Sequence, residues 1–216
     1  MKRLLPYLPS PSIVFITGKR GSGKTAKAFS LASALHQKTG KPVYCHIPIN
    51  VYLPSYFKPI DIHNPKPNSI WLIDDAHLLV HARKWYENTN ILMDNFQTIS
   101  RHLNVDIIYT TQETIRIDKN IIAGIDALVF CEPSLLAPQF ERAAIHPLVE
   151  EAAKIFRRLP PHERKRTAYI ITHSEKIILK NIKLPYYWSE RLSKSFSNYL
   201  SRKREKKPKL IIKIIR

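Results

Sequence analysis

The chain has 216 residues, 35 Lys and Arg against 17 Asp and Glu, and a formal net charge of +18. Its length fits one α/β domain with a sizeable core. The charge suits a polyanionic partner, nucleic acid before membrane, because no apolar run is long enough to span a bilayer. Two cysteines, Cys45 and Cys131, lie in separate apolar runs without metal or disulfide spacing, which excludes a disulfide scaffold and fits a reducing interior.

The N-terminal Met1-Lys2-Arg3-Leu4-Leu5-Pro6 is interrupted by proline before an apolar core forms, so it does not read as a signal peptide. The pattern predicts a first strand over 13–17, a helix over 24–38 closing at Gly40, and a short strand over 42–46. Residues 48–68 carry Pro54, Pro59, Pro65 and Pro67 among Tyr52, Tyr56 and Phe57, and read as an extended connector without regular structure. Residues 70–74 form a continuous apolar strand, and Trp85, Leu92, Phe96, Ile99 and Leu103 mark the buried stripe of a long helix. Two more strands are expected at 105–111 and 126–131. A helix at 148–159 is stopped by Pro160-Pro161, a β-hairpin is expected from 167–172 and 176–184, and a last helix from 187–200. Alternation of strand and helix predicts a mostly parallel central sheet. We read residues 1–200 as one domain and 201–216 as a basic tail, with eight Lys and Arg against Glu205 from Arg202 onward, either solvated or in contact with a polyanion.

Directly after the first strand stands Gly18-Lys19-Arg20-Gly21-Ser22-Gly23-Lys24-Thr25, a complete G-x-x-x-x-G-K-[ST] loop. Its glycines let successive backbone N–H groups face a β-phosphate at a helix N-terminus; Lys24 reaches the β/γ-phosphates and Thr25 supplies a hydroxyl to Mg²⁺. The strand Ile70-Trp71-Leu72-Ile73 ends in Asp74-Asp75, where Asp74 is placed to hold Mg²⁺ through its water shell and Asp75 to orient or deprotonate the attacking water. The strand Asp106-Ile107-Ile108-Tyr109-Thr110-Thr111 runs into Gln112, the first choice for a side chain that senses the γ-phosphate, with Thr111 second. Arg101 sits beside Ile99 and Leu103 near a helix end, suited either to reach a neighbouring subunit's γ-phosphate or to cap the helix dipole; Arg116, Arg142, Arg157 and Arg158 are its rivals. His77, His81 and His102 do not form a metal set.

With these four signals in order, the chain resembles the HerA/FtsK superfamily of ring-forming ATPases. In particular it is similar to the small genome-packaging ATPases of tailless viruses with internal membranes. The resemblance rests on Thr17–Thr25, Trp71–Asp75 and Arg101–Gln112 and spans roughly residues 10–135. It implies an α/β, three-layer P-loop NTPase of RecA/FtsK type with a C-terminal β-hairpin plus helix. It also implies ATP and Mg²⁺ as cofactors, a homo-oligomeric ring (pentamer or hexamer) around double-stranded DNA, and Arg101 acting on the neighbour's ATP. A capsid or membrane vertex would be a further partner, and the host cytoplasm or the virion the location. Asp75 stands where such motors usually have Glu, which leaves the catalytic base open. A filamentous-phage-assembly or toxin-type ATPase, a nucleotide kinase with Arg157, Arg158, Arg164 and Arg166 as a lid, and a helicase-loader-like switch remain alternatives.

Overall fold

Strands as uniformly apolar as Ile13-Val14-Phe15-Ile16 and Ile70-Trp71-Leu72-Ile73 have no face to give to water, so they require a sheet covered on both sides. The structure, a computed structural model, describes residues 1–45, 51–61, 64, 66–74, 98, 100–111, 124–134 and 145–193. Its strands are β1 Ile13–Thr17, β2 Val43–Cys45, β3 Phe57–Pro59, β4 Ile70–Asp74, β5 Asp106–Thr111, β6 Ala127–Phe130, β7 Ala168–Thr172 and β8 Lys176–Leu179. They form one eight-stranded sheet in the order β3-β2-β4-β5-β1-β6-β7-β8. The pairs from β3 to β6 are parallel, and β7 alone is reversed, pairing antiparallel with β6 on one side and β8 on the other. The α/β class with a mostly parallel sheet is thus as expected, and so is the C-terminal hairpin.

Side-chain alternation divides the core between two faces. Val14, Ile16, Ile70, Leu72 and Ile108 pack with Phe29, Ala32 and Leu35 of helix α1 (Lys24–Thr39). Ile13, Phe15, Trp71, Ile73 and Ile107 pack on the other face with Val149, Ala152 and Phe156 of α2 (His146–Arg157). The result is a three-layer arrangement. A 3-10 helix over Lys2–Tyr7, which the sequence pattern does not announce, drops the fully buried Leu4 into the first of these layers. Pro160-Pro161 ends α2 as expected, but Pro161 also opens the short helix α3 (Pro161–Arg164), since proline at a first helical position lacks only an N–H that has no partner there. No helix among the described residues is long and apolar enough to cross a membrane.

Three expectations need correction. The connector contains β3, paired parallel to β2, because Phe57 is buried against Phe29 and draws its neighbours to the sheet edge. Tyr56 beside it stacks on His36 at 3.9 Å and donates to Ser33 at 3.2 Å. The second hairpin strand stops at Leu179, not Leu184: Asn181 takes a left-handed φ of 55° and the Ile182 N–H leaves the ladder for the Arg166 carbonyl. The last helix begins at residue 190, because the Ser189 hydroxyl caps the Leu192 N–H at 3.1 Å. Tyr187 and Trp188 are thereby left to pack edge-on against Phe29. Most of the long helix expected before β5, the end of the last helix and the basic tail lie outside the described residues.

The N-terminal ends of the strands are held by buried polar groups. Asp106, 1% exposed, accepts from the Ser12 N–H at 2.9 Å, the Ser12 hydroxyl at 3.0 Å and the Lys41 ammonium at 2.6 Å. Lys41 also donates to Asn104 Oδ1. On the other side of β1, Asp126 accepts from the Ile13 N–H at 2.7 Å. Removing one member of a buried ion pair strands its partner's charge, at a cost of about 3–5 kcal/mol. Asp106→Ala should therefore lower the thermal midpoint by roughly 6–20 °C for a domain of this size; a melt unchanged within a degree would contradict the assigned role.

Candidate functional site

At the C-terminal end of β1 the chain turns through residues 18–25 into α1. The first glycine is dictated by packing: Gly18 has φ +146°, and a Cβ there would lie 2.8 Å from Cys131 Cβ at the end of β6. Gly23, the N-cap of α1 at φ +86°, offers no side chain to cap the helix, and the first turn contains no acidic residue. The opening N–H groups of α1 therefore remain available to an anion. Lys24 is buried and its ammonium crosses the loop, donating to the Gly18 carbonyl at 2.8 Å and the Lys19 carbonyl at 3.0 Å. The Ser22 hydroxyl is buried without a hydrogen-bond partner among the described residues.

The sheet order brings the second half of the site to this loop. β5 lies between β1 and β4, and its register sets Thr110 opposite both Ile16 and Asp74. Asp74 accepts from the Thr25 hydroxyl on one oxygen and from the Thr110 hydroxyl on the other, each at 2.9 Å. A carboxylate and a hydroxyl form a donor set that fits Mg²⁺, which takes one or two protein oxygens and fills its octahedron with phosphate oxygens and water. Thr25 and Asp74 are the residues that can hold it.

On the opposite flank, beyond β6, Glu132 receives Lys19 at 2.8 Å and Arg164 at 3.2 Å, while its backbone carbonyl accepts from the Lys19 N–H. Arg164 is further held by the Leu159 carbonyl. Lys27, one turn into α1 and 2% exposed, donates to the Ser22 carbonyl at 3.1 Å and to the Lys165 carbonyl at 2.8 Å. The turn after α3 is thus fastened to the loop at two points.

Among solved structures, the genome packaging NTPase B204 from Sulfolobus turreted icosahedral virus 2 is similar. Its AMPPCP complex aligns with a TM-score of 0.55 at 14% identity, over 81% of this chain and 98% of that one. Its ATP-gammaS complex gives a TM-score of 0.53 at 12% identity over the same shares, and its AMP complex 0.54 at 13% over 82% and 100%. The fold is a P-loop NTPase fold. At such identities the likeness carries the architecture alone. No protein-family model matches the chain, and no curated protein does so by sequence.

The structure brings Gly18, Lys19, Arg20, Gly21, Ser22, Gly23, Lys24, Thr25 and Asp74 together at one end of the sheet. Asp75 and Gln112 lie outside the described residues, as do Arg116, Arg142, His77 and His81. Arg101 is exposed and sits at the N-terminal end of β5. It is separated from the chain's own loop by about the length of that strand, roughly 20 Å. Sequence reasoning passes over Thr110, Lys27 and Glu132. A two-residue alternation counted back along β5 can find Thr110; for the other two no local signal exists, because their partners are distant in sequence.

Burial alone would push the Glu132 carboxyl up, but hydrogen bonds and charge from Lys19 and Arg164 outweigh it and hold it below the ordinary carboxylate value. A depressed folded value contributes stability that is present above the unfolded value of about 4.3 and lost as pH falls through the folded one. Glu132→Gln should therefore be less stable than wild type at pH 7, by about 1 kcal/mol or less for a partly exposed cluster. Thermal melts should show the gap closing toward pH 3, and a gap independent of pH would refute the pairing.

Proposed function

We propose that this chain is a Mg²⁺-dependent ATPase that translocates double-stranded DNA, working as a homo-oligomeric ring that packages a viral genome. The observation that carries the reading is the convergence of Thr25 and Thr110 on Asp74 beside the glycine-rich loop. A carboxylate that engages the loop's own hydroxyl and the intervening strand is what coupling triphosphate and cation requires. The fold shared with B204, a genome packaging NTPase in complex with ATP-gammaS and with AMPPCP, supports the same reading. The charge of +18 supports DNA as the cargo.

In this reading Lys24 exchanges the Gly18 and Lys19 carbonyls for β- and γ-phosphate oxygens, and the loop N–H groups receive the β-phosphate. Thr25 and Asp74 would hold Mg²⁺, which would supply charge neutralisation to the bound phosphates. The Thr110 hydroxyl donates to the second oxygen of Asp74, so that the carboxylate keeps one rotamer. Asp75 is the proposed base and Gln112 the proposed γ-phosphate sensor. The exposure of Arg101 and its distance from its own loop are compatible with a finger acting in trans on a neighbour's nucleotide. Residues 1–200 would form the motor domain and 201–216 an additional contact to DNA. A capsid or membrane vertex would anchor the ring, in the host cytoplasm or on the virion.

Long double-stranded DNA should stimulate ATP hydrolysis several-fold, whereas phosphate transfer to a nucleoside acceptor would replace the motor by a kinase. Lys24→Ala and Asp74→Asn should each reduce turnover at least about a hundredfold, as loss of phosphate or metal contacts does; near-normal turnover in either would displace the site. Arg101→Ala should retain ATP binding but lose about 10³-fold in rate, the scale of an arginine finger. Mixing it with Lys24→Ala subunits should restore part of the activity, because some interfaces then pair an intact loop with an intact arginine. Lack of any such recovery would remove the trans assignment.

A further inference from the structure

Lys27 is the least expected residue in the described chain. It is fully enclosed, yet both partners of its ammonium are neutral backbone carbonyls, those of Ser22 and Lys165, and no carboxylate pairs with it among the described residues. Burying a cation without a counter-charge is costly, and an apolar side chain of the same length would ordinarily be at least as stable there. A stabilising role therefore does not account for the lysine, whereas its position does.

The peptide between Ser22 and Gly23 is planar and trans, so its C=O and N–H point to opposite sides. Lys27 holds the Ser22 carbonyl on the inner, α1 side of the loop. The Gly23 N–H is then aimed the other way, and no hydrogen bond among the described residues uses it. Nothing local would keep this orientation: Gly23 stands at φ +86° with no side chain, and a Cβ there would lie 3.2 Å from the Lys27 ammonium and 3.3 Å from the Lys165 carbonyl. The same ammonium reaches the turn after α3, which Arg164 ties to Glu132 and so to Lys19 at the start of the loop.

We propose that Lys27 is a positioning residue that presets the Ser22–Gly23 peptide, so that the Gly23 N–H meets the β-phosphate oxygen of a nucleoside di- or triphosphate. The ligand class rests on the function proposed above. Lys27 touches no substrate. It acts by preventing a peptide flip that would otherwise turn a carbonyl toward the anion, and its buried charge adds to the field of Lys24 behind the loop.

The test uses the full chain with Lys27→Met, which keeps the length and removes the charge, and Lys27→Arg, which keeps charge and donors. Thermal midpoints are measured without nucleotide, Mg²⁺-ADP affinity by calorimetry, and KM and kcat for ATP by steady-state turnover. For Lys27→Met the nucleotide-free midpoint should stay at or above that of wild type. Its ADP Kd and ATP KM should rise about tenfold, the order expected for losing a hydrogen bond aimed at a charged group, with kcat within about twofold. Lys27→Arg should recover ADP affinity to within about threefold of wild type, since it restores a charged donor. Unchanged ADP affinity in Lys27→Met, or a midpoint that falls as steeply as the affinity, would overturn the positioning role, the latter in favour of a structural one. An arginine variant as impaired as the methionine variant would also overturn it. Wild type that binds neither ADP nor ATP would defeat the nucleotide reading and this inference with it, whereas wild-type binding undiminished in Lys27→Met defeats the inference alone.

Discussion

Where β1 begins decides what its other end can do. Two carboxylates set that point: Asp106, at the head of β5, takes the Ser12 N–H and hydroxyl, and Asp126, just before β6, takes the Ile13 N–H. A strand buried at every position has little in its side chains to resist a slip, because a one-residue shift exchanges one buried face for another. Polar clamps at its start supply the missing specificity. From them the register follows, with Thr17 level with Thr111 and with Phe130, and Asp74 level with Thr110. The glycine-rich loop therefore emerges at a defined height beside Asp74, and the Thr25–Asp74–Thr110 contacts follow from a constraint at the far end of the sheet.

The loop end has the opposite electrostatic character. Lys24 and Lys27 are both buried within one turn of each other, and both are satisfied by loop carbonyls. Glu132 neutralises only the outer pair, Lys19 and Arg164. Among the described residues the Lys27 ammonium meets only neutral carbonyls, so its charge contributes a positive field behind the loop, in a setting too dry for water to screen it well. The arrangement favours a multivalent anion over water, and it explains why the helix start has no acidic residue in its first turn.

Much of this architecture was legible in the chain itself. The runs at Ile13-Val14-Phe15-Ile16 and Ile70-Trp71-Leu72-Ile73 could only be strands covered on both faces, and Gly40 and Pro160 marked helix ends because left-handed backbone and a missing N–H have few other uses. The connector hides its strand because proline content argues against one, while the pairing of β3 depends on Phe57 meeting Phe29 across nearly thirty residues. The start of the last helix is hidden for a similar reason. The pattern extends the last helix back to Tyr187, yet its ring packs on Phe57, its hydroxyl hydrogen-bonds the Ser33 hydroxyl at 2.6 Å, and burial raises its pKa.

The amino-acid sequence by itself determined the loop at 18–25, the acidic strand end at Asp74 and the alternation of strand and helix, because each is a local pattern whose chemistry depends on near neighbours. Tertiary structure alone decided that β5 would lie between β1 and β4, so that the Thr110 hydroxyl meets Asp74. It also decided that Lys27 would turn inward to Ser22 and Lys165, and that Glu132 would join Lys19 to Arg164. Those contacts span 138 residues for Lys27 and Lys165 and 32 for Glu132 and Arg164. No local periodicity encodes them; they arise only when burial of both sheet faces brings distant segments to the same strand ends.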